Sequence, residues 1–268
     1  MKIAILGPKG TFTEIAAREM FAREDFLFCD TIDDVFSAIE EDNADLGIVP
    51  VENSLEGSVS VTMDCLLLYD IKICREIDLG INLCLMVRRG AERDSIMTII
   101  SHPHALAQSR VFLKKNFPYA RLERSESTAF AMKKTSEAKE GYAAIGPKSS
   151  ADLYGLDVME ENIQDMPSET RFIVLSKPEK EISGGKPVNK TSIIFALKDA
   201  PGALYDALKE FAERGINLTK IESRPSKRRL GEYLFFVDLE GHLNDGNVKD
   251  ALGEIKNKIT FLKLLGSY

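Results

Sequence analysis

Hydrophobic residues in the first 175 positions form short apolar runs that alternate with stretches of helical period. Alternation of this kind predicts parallel sheets covered by helices. The predicted strands span residues 2–6, 46–51, 71–77, 81–87, 97–101, 121–124, 142–145 and 172–175. The predicted helices span residues 13–24, 33–42, 59–69, 105–116, 128–138 and 148–153.

One stretch breaks the alternation and joins two strand-like runs without a helix, namely Glu76-Ile77-Asp78-Leu79-Gly80-Ile81-Asn82-Leu83. A direct passage from strand to strand would carry the chain from one α/β lobe into a second, which we place at roughly residues 80–155. We therefore predict that residues 1–175 form two α/β lobes with a cleft between them.

The pattern changes beyond residue 175. Residues 176–189 combine Pro178, Gly184, Gly185 and Pro187 with several charges, which is typical of a linker. Residues 190–268 then predict strands at 191–197, 218–223, 233–240 and 259–265 and helices at 201–214 and 248–258. The order β-α-β-β-α-β is the ferredoxin-like arrangement, so we predict a separate α+β domain at the C-terminal end.

Composition agrees with a globular protein, since 44% of the residues are hydrophobic and 29% are charged. The run after Met1 is too short for a signal-peptide core, and no apolar stretch approaches the ~20 residues of a membrane span. Four cysteines, at positions 29, 65, 74 and 84, lack metal-binding spacing. We therefore expect reduced thiols in a cytoplasmic protein.

The net charge of −7 is unevenly distributed along the chain. Residues 190–268 contain 13 Lys and Arg against 11 Asp and Glu, whereas residues 1–189 contain 22 against 31. An acidic main body argues against nucleic acid as the partner. An anionic ligand would have to be bound by local cations and backbone amides.

The first predicted strand and helix are joined by Gly7-Pro8-Lys9-Gly10-Thr11-Phe12-Thr13. Glycines let a ligand approach the backbone closely, and a helix N-terminus offers free amides to an anion. The stretch lacks both G-x-G-x-x-G and a G-K-[ST] ending, so nucleotide binding is not expected. A plain tight turn is the alternative interpretation.

Another strand end carries Glu52-Asn53-Ser54. Open α/β sheets place ligand contacts at the carboxyl ends of their strands. An amide side chain can donate and accept hydrogen bonds at once, which suits a hydroxyl or keto-acid group. Alternatively, Asn53 and Ser54 cap the following helix.

A further strand end carries Ser101-His102-Pro103-His104-Ala105-Leu106-Ala107-Gln108. A zinc site is disfavoured, because the third histidine, His242, lies in the other domain and no cysteine is near. His102 is a candidate proton carrier or a structural histidine. Gln108 lies one helical turn beyond His104 and would share its face.

Thr170-Arg171-Phe172 opens the last strand of the main body. A neutral donor beside a guanidinium suits a small carboxylated substrate that must lose a hydroxyl group. Alternation places Thr170 and Phe172 on one face and Arg171 on the other, although all three could reach one cleft at the mouth of a strand. A strand start with one surface arginine is the alternative.

The C-terminal domain offers Gly202-Ala203-Leu204 at the start of a helix and Glu222-Ser223-Arg224-Pro225 at the end of a strand. Backbone amides and the Arg224 guanidinium could together hold the carboxylate of an amino acid. The basic run Lys227-Arg228-Arg229 indicates a solvated hairpin turn.

Taken together, these stretches resemble the prephenate dehydratase family, whose members carry a C-terminal regulatory ACT domain. The family patterns G-P-x-G-T-[FY]-[ST], P-[IV]-E-N-S-x-x-G, S-H-P-Q-x-x-x-Q and T-R-F correspond to residues 7–13, 50–57, 101–108 and 170–172. The regulatory patterns G-A-L and E-S-R-P correspond to residues 202–204 and 222–225. His104 and Ser168 depart from the residues usual in the family, which are Gln and Asn.

The resemblance implies an enzyme that converts prephenate to phenylpyruvate with release of carbon dioxide and water, using no metal or organic cofactor. It also implies lobes similar to type II periplasmic binding proteins, a dimer or tetramer, and inhibition by L-phenylalanine bound at the ACT domain. The implied catalytic residues are Thr170, Asn53, Ser101 and Gln108, and the implied substrate-binding residues are Arg171, Phe172, Glu52, Thr11 and His102. The implied phenylalanine-binding residues are Gly202, Ala203, Leu204, Asn217, Glu222, Ser223 and Arg224.

Two alternatives stay open. Arogenate, which has an amine in place of the side-chain ketone, could replace prephenate as the substrate. The chain could also be a non-catalytic cytoplasmic sensor that binds an amino acid.

Overall fold

The computed structural model describes residues 1–22, 24–138, 140–178, 189–226 and 233–268. The chain divides into two compact units, one comprising Met1–Met63 and Ile77–Ile173, the other Asp64–Glu76 and Val174–Tyr268. Most of the linker predicted at residues 176–189 and the basic run at residues 227–229 lie outside the described residues.

Eleven strands and seven helices form in the described part of the chain up to residue 178. The strands are β1 (Lys2–Leu6), β2 (Asp25–Cys29), β3 (Leu46–Asn53), β4 (Gly57–Ser58), β5 (Lys72–Gly80), β6 (Cys84–Arg88), β7 (Thr98–Ser101), β8 (Arg121–Arg124), β9 (Tyr142–Gly146), β10 (Leu156–Glu160) and β11 (Glu169–Ser176). The helices are α1 (Phe12–Met20), α2 (Ile32–Glu40), α3 (Ser60–Leu68), α4 (Pro103–Gln108), α5 (Arg110–Asn116), α6 (Thr128–Glu137) and α7 (Ala151–Tyr154). Short 3₁₀ turns lie at Arg93–Ser95 and Lys148–Ser150.

The first sheet has the strand order β2-β1-β3-β11-β5, and the two-residue strand β4 pairs with β3. β1 is parallel to both β2 and β3. Its central residues Ile3, Ala4 and Ile5 are fully buried, because a strand covered on both faces must be apolar throughout. Helix α2 begins with a capping box in which Thr31 and Asp34 bond reciprocally.

The second sheet has the order β10-β6-β9-β7-β8. β7 is parallel to β8 and β9, but β6 is antiparallel to β9 and β10 is antiparallel to β6. The prediction of parallel sheets therefore holds for β7, β8 and β9 and is wrong for β6 and β10. The chain enters β6 directly from β5, which lies in the first sheet and does not pair with β6.

Two connecting segments lie side by side where the chain passes between the two sheets. The outgoing segment follows β5 and the returning segment precedes β11. Ile81 N–H donates to the Ser168 carbonyl at 2.8 Å, and Ile163 N–H donates to the Leu83 carbonyl at 2.9 Å. The Gln164 side chain also accepts a hydrogen bond from Leu83 N–H at 3.0 Å. The direct passage expected between two strand runs is present, and this bonding fixes its geometry.

The predicted helix at residues 105–116 is two helices, α4 and α5, with Ser109 between them at φ −112° and ψ 15°. Asp165 stabilises the break, because its carboxylate accepts from Val111 N–H at 2.8 Å and from Phe112 N–H at 3.0 Å. Those amides lie in the first turn of α5 and have no partner within the helix. The acceptor comes from a residue more than fifty positions away, so local periodicity could not predict it.

The remaining elements are β12 (Lys190–Leu197), α8 (Ala203–Ala212), β13 (Leu218–Pro225), β14 (Tyr233–Glu240), α9 (Gly246–Ile255) and β15 (Ile259–Ser267). They form an antiparallel sheet with the order β13-β14-β12-β15. Both helices pack on one face, where Phe195, Phe211 and Val237 are among the buried residues. This is the ferredoxin-like arrangement predicted from the β-α-β-β-α-β order.

No helix among the described residues is long and apolar enough to cross a membrane.

Candidate active site

The loop that follows β3 is built around Asn53. Its side-chain carbonyl oxygen accepts hydrogen bonds from Leu55 N–H at 2.9 Å and from Glu56 N–H at 3.1 Å. This is the local bonding by which an Asx side chain shapes a turn. Gly57 then takes a positive φ of +79°, and the chain returns as β4 to pair with the end of β3. The side-chain carbonyl oxygen of Asn53 therefore stabilises the loop, whereas the side-chain nitrogen of Asn53 makes contacts outside the loop.

The Asn53 amide nitrogen contacts the start of β11. It lies 2.9 Å from Thr170 Oγ1, 3.0 Å from Ser168 Oγ and 3.2 Å from the Glu169 carbonyl. Ser54 strengthens this junction, because its N–H donates to the Glu169 carbonyl and its hydroxyl accepts from Glu169 N–H. These bonds form a junction between the end of β3 and the start of β11, which the sequence analysis treated as separate candidates.

The Thr170 hydroxyl accepts a hydrogen bond from Asn53, and its own proton has no acceptor among the described residues. A hydroxyl has one donor and two acceptor sites. The contact with Asn53 thus leaves the Thr170 proton able to donate to a bound molecule.

Glu52 and Arg171 form an ion pair beside this junction, with Arg171 Nη2 3.0 Å from Glu52 Oε2. The Arg171 side chain is mostly enclosed, whereas that of Glu52 is about one-third exposed. Strand alternation gives the Arg171 side chain a different starting direction from that of Thr170, although both lie in the first residues of β11. The guanidinium is thereby held in place by a residue from the same β3 end that supplies Asn53.

Helix α4 brings two imidazoles to the same loop. His104 Nε2 lies 3.8 Å from Glu56 Oε2, and the His102 ring meets the His104 ring edge-on with 4.7 Å between centroids. His102 is the N-cap of α4, since its Nδ1 accepts from His104 N–H at 3.3 Å. Burial lowers the pKa of His102, and the neighbouring His104 lowers this pKa further, against a smaller opposing effect of Glu56. His102 is accordingly neutral near pH 7, with its proton on Nε2.

Three of the residues expected to contact substrate are instead part of the packed structure. Ser101 is fully buried and its hydroxyl donates to the Ile145 carbonyl at 2.7 Å, which links β7 to β9. Phe172 is only 2% exposed and belongs to the core. Thr11 is the N-cap of α1 and is also buried, with its hydroxyl bonded to Glu14 N–H and to the Leu6 carbonyl. In this structure, Ser101 and Thr11 use their hydroxyls for internal hydrogen bonds, and Phe172 packs in the core.

The loop from Gly7 to Gly10 was a candidate anion site, but an internal carboxylate occupies it. Gly10 N–H donates to Glu14 Oε2 at 2.7 Å, and Arg18 pairs with the other oxygen of Glu14. Gly10 has a φ of +86°, and a Cβ there would lie 2.9 Å from the Tyr154 ring. Close packing against residues beyond β9 therefore explains this glycine without a ligand.

Gln108 is the last residue of α4 and is almost fully buried. Its backbone carbonyl accepts from Asp165 N–H at 2.6 Å. No hydrogen bond within the described part of the chain joins its side chain to Asn53 or Thr170.

Sequence reasoning missed several residues that build the site. Ser168 and Ser54 bond across the β3–β11 junction, and Glu56 faces His104. Each makes its contact with a residue far along the chain. The weak available signal was that Ser54 and Glu56 flank Asn53 in a polar stretch directly after an apolar strand.

The residues expected to bind phenylalanine all lie in the second unit. Gly202, with φ +84°, is the N-cap of α8 and supplies no side-chain cap, and Ala203 and Leu204 begin that helix. Glu222, Ser223 and Arg224 lie on β13, where Ser223 is exposed. Asn217 precedes β13, and its carbonyl accepts from Glu240 N–H at 2.9 Å.

No three His, Cys, Asp or Glu side chains gather into a metal-binding group in the described ranges. The four cysteines are free thiols.

The two α/β sheets, the polar residues at their strand ends and the C-terminal domain together define the class of protein. It is a two-lobed α/β protein with a periplasmic-binding-protein-like layout and a ferredoxin-like domain of the ACT class. The chain belongs to the prephenate dehydratase family, because the prephenate dehydratase model matches residues 3–180 and the ACT domain model matches residues 191–257. It is accordingly a carbon–oxygen lyase.

Curated relatives and a solved structure agree with this assignment. The prephenate dehydratase of Methanocaldococcus jannaschii is 46% identical over 97% of this chain and 95% of that protein. The bifunctional chorismate mutase/prephenate dehydratase of Aquifex aeolicus is 46% identical over 100% of this chain and 73% of that protein. A crystal structure of prephenate dehydratase from Arthrobacter aurescens in complex with L-Phe is 36% identical with a TM-score of 0.92, and the match covers 100% of this chain and 90% of that one.

Proposed function

We propose that this chain converts prephenate to phenylpyruvate, carbon dioxide and water, with Thr170 as the donor to the departing hydroxyl group. The observation that carries this proposal is the 2.9 Å hydrogen bond from the Asn53 amide to Thr170 Oγ1. Because that bond uses an acceptor site of the hydroxyl, the Thr170 proton is left for the substrate.

The chemistry divides into two bond cleavages on one ring. The bond between the ring and its carboxylate breaks, and its electron pair forms a new ring double bond. The bond to the hydroxyl on the opposite carbon breaks as the ring becomes aromatic, and the oxygen leaves with a proton as water. Aromatisation supplies the driving force, so the reaction needs no electron sink from an organic cofactor. The protein must hold a dianion and stabilise the leaving oxygen.

Thr170 suits the second task better as a hydrogen-bond donor than as a strong acid. A single donor aimed at developing negative charge contributes about 10²–10³-fold to the rate. The proton that makes the leaving group water comes from solvent, either directly or through a His102 ring that has first taken up a solvent proton and returns to the neutral form when it donates. Asn53 acts as a positioning residue, because it fixes the direction in which the Thr170 hydroxyl donates.

Other residues bind the dianion or position the residues that bind it. Arg171 is the proposed clamp for a substrate carboxylate, and Glu52 orients its guanidinium through their 3.0 Å pair. Gln108 is a proposed polar contact that would have to turn toward the substrate as the lobes close. We assign Ser101 a supporting role, since its hydroxyl bridges β7 and β9 next to His102.

We also propose that L-phenylalanine inhibits the enzyme by binding to the ACT domain at residues 190–268. The family-model match to that domain and the L-Phe complex of the similar Arthrobacter aurescens protein support this. Two ACT domains packed side by side in a cytoplasmic dimer or tetramer would enclose the amino acid. The proposed contacts are Gly202, Ala203, Leu204, Asn217, Glu222, Ser223 and Arg224.

A turnover assay on two substrates tests the proposal. Purified chain is incubated with prephenate or with arogenate, and the product phenylpyruvate or phenylalanine is measured with and without added L-phenylalanine. Phenylpyruvate formation that millimolar phenylalanine suppresses is the expected result. Exclusive turnover of arogenate would reassign the substrate. Binding of an amino acid without turnover of either compound would make the chain a sensor.

A further inference from the structure

Strand β13 presents two different faces. Its residues alternate between half-buried and exposed, and Lys220, Glu222 and Arg224 share the half-buried face. Arg224 pairs with Leu234 and Glu222 pairs with Phe236 on β14, and paired residues lie on the same side of a sheet. Leu234 and Phe236 are both buried.

This face is the one opposite α8 and α9. Those helices pack on Ile193, Phe195 and Val237, which alternate with the residues of the other face along their strands. Arg224 is therefore directed away from the helices of the ACT domain. There its Nη2 forms an ion pair with Asp64 Oδ1 at 3.1 Å.

Asp64 comes from an early part of the chain, in the middle of α3. It belongs to the same compact unit as the ACT domain. The Arg224 side chain is 16% exposed and that of Asp64 is 35% exposed, so water screens the pair only in part.

Helix α3 leads back to the proposed active site within a few residues. Thr62, two residues before Asp64, is fully buried, and its hydroxyl donates to the Pro50 carbonyl at 2.6 Å. The helix starts just after β4, whose residues Gly57 and Ser58 pair with Asn53 and Glu52. A shift of α3 would therefore act on the strand end that holds Asn53.

We infer that Asp64 is the residue that couples the ACT domain to the active site, because it holds Arg224 when no effector is bound and competes with the effector's carboxylate for that guanidinium. This inference rests on the proposed inhibition by phenylalanine through Arg224. A second carboxylate on the same guanidinium is repelled by Asp64. Effector binding therefore weakens the Asp64–Arg224 pair and, with it, the attachment of α3 to β13. By linkage, attachment of α3 to β13 through Asp64 weakens effector binding as much as effector binding weakens that attachment.

The test is Asp64→Asn, which keeps the size of the side chain and removes its charge. Phenylalanine binding is measured by calorimetry, and prephenate turnover is measured from zero to saturating phenylalanine and scaled to the rate of each variant without effector. Loss of a partly exposed competing pair should tighten phenylalanine binding roughly two- to fivefold. Saturating phenylalanine should also leave a larger fraction of turnover in the variant than in the wild-type chain.

Asp70→Asn is the matched control, because Asp70 lies in the same segment but its side chain is 83% exposed and 3.8 Å from Lys72. It should bind phenylalanine and be inhibited as the wild type is. Asp64→Glu keeps the charge and should restore most of the wild-type inhibition. Thermal unfolding confirms that each variant is folded.

Unchanged or weaker phenylalanine binding in Asp64→Asn would overturn the inference, and so would full inhibition of that variant. Both outcomes leave the proposed inhibition standing, since the wild-type chain still responds. If the wild-type chain neither binds phenylalanine nor is inhibited by it, the proposed regulation fails together with the role of Asp64.

Discussion

The amide nitrogen of Asn53 donates a hydrogen bond to Thr170 Oγ1 at 2.9 Å, although the two residues are 117 positions apart in the chain. The Asn53 carbonyl oxygen is already engaged by Leu55 and Glu56 N–H groups, so the amide cannot be flipped without breaking the loop. The orientation of the Asn53 amide therefore makes Thr170 an acceptor toward Asn53 and leaves the Thr170 proton for another acceptor.

Removal of the Thr170 hydroxyl should slow the chemical step. In Thr170→Ala we expect kcat for prephenate to fall about 10²-fold or more, because a single oriented donor contributes that much to stabilising a leaving oxygen. Thr170→Ser retains a hydroxyl at the same position and should keep most of the rate. Steady-state kinetics check both variants. A Thr170→Ala enzyme within a few-fold of wild type would remove Thr170 from the chemistry.

Asn53→Asp should impair turnover even though it preserves shape. The carboxylate can still accept from Leu55 and Glu56 N–H, so we expect the loop to form. It has no hydrogen to donate, and the Thr170 hydroxyl would turn to donate to it, away from the substrate. We expect kcat to fall about 10²-fold with a near-native circular dichroism spectrum. If kcat is preserved, Asn53 has no part in directing the Thr170 proton.

The sequence located the two ends of this junction but not their contact. Asn53 and Thr170 each stand beside a hydrophobic run that reads clearly as a strand. Open α/β sheets place ligand contacts at the carboxyl ends of their strands, which made Asn53 a candidate. Thr170 opens a strand instead and was a candidate because a neutral donor stands beside a guanidinium. Ser54 had only the weak signal of standing next to Asn53, and the bonding role of Ser168 had none, because both serines make their contacts with residues more than one hundred positions away.

Alternation along a strand also could not separate Thr170 from Phe172. Both lie on one face, but each residue advances the strand by about 3.3 Å, so Phe172 lies roughly 7 Å further into the sheet. That distance separates the half-buried Thr170 at the start of β11 from Phe172 in the core. Ser101 is a second case in which the sequence pattern could not predict burial, because it is the last residue of β7 and is nevertheless fully buried.

Three strands in the described part of the chain up to residue 178 escaped prediction, namely β2, the two-residue β4 and β10. Only four residues separate β2 (Asp25–Cys29) from the end of α1, and the predicted helix at residues 13–24 ran up to the first residue of that strand. β10 has only five residues, of which Asp157 and Glu160 are charged, so its hydrophobic period is weak. Its pairing with β6 supplies what the local pattern lacks.

Phe172 should behave as a core residue in mutants. Phe172→Ala removes most of a side chain that is 2% exposed, and such truncations lower the free energy of unfolding by about 3–5 kcal/mol. Phe172→Leu leaves a smaller cavity and should lower it much less, with KM for prephenate close to that of wild type. Urea unfolding and kinetics measure the two effects. A large rise in KM for Phe172→Leu at unchanged stability would instead place Phe172 against the substrate.

His102 should make the stability of the protein depend on pH in mildly acidic solution. Burial and His104 lower its pKa in the folded chain, so the unfolded chain binds the proton first as pH falls below about 6.5. The folded state then loses stability progressively toward its own lower pKa, and above pH 7 the effect vanishes. His102→Asn removes the titrating group but keeps an acceptor for His104 N–H, since Asn is a favoured N-cap. Urea unfolding from pH 5 to pH 8 should show the wild-type curve falling more steeply below pH 6.5 than that of the variant. Parallel curves would mean that the imidazole titrates alike in the folded and unfolded chains, and His102 would then not be held neutral by its surroundings.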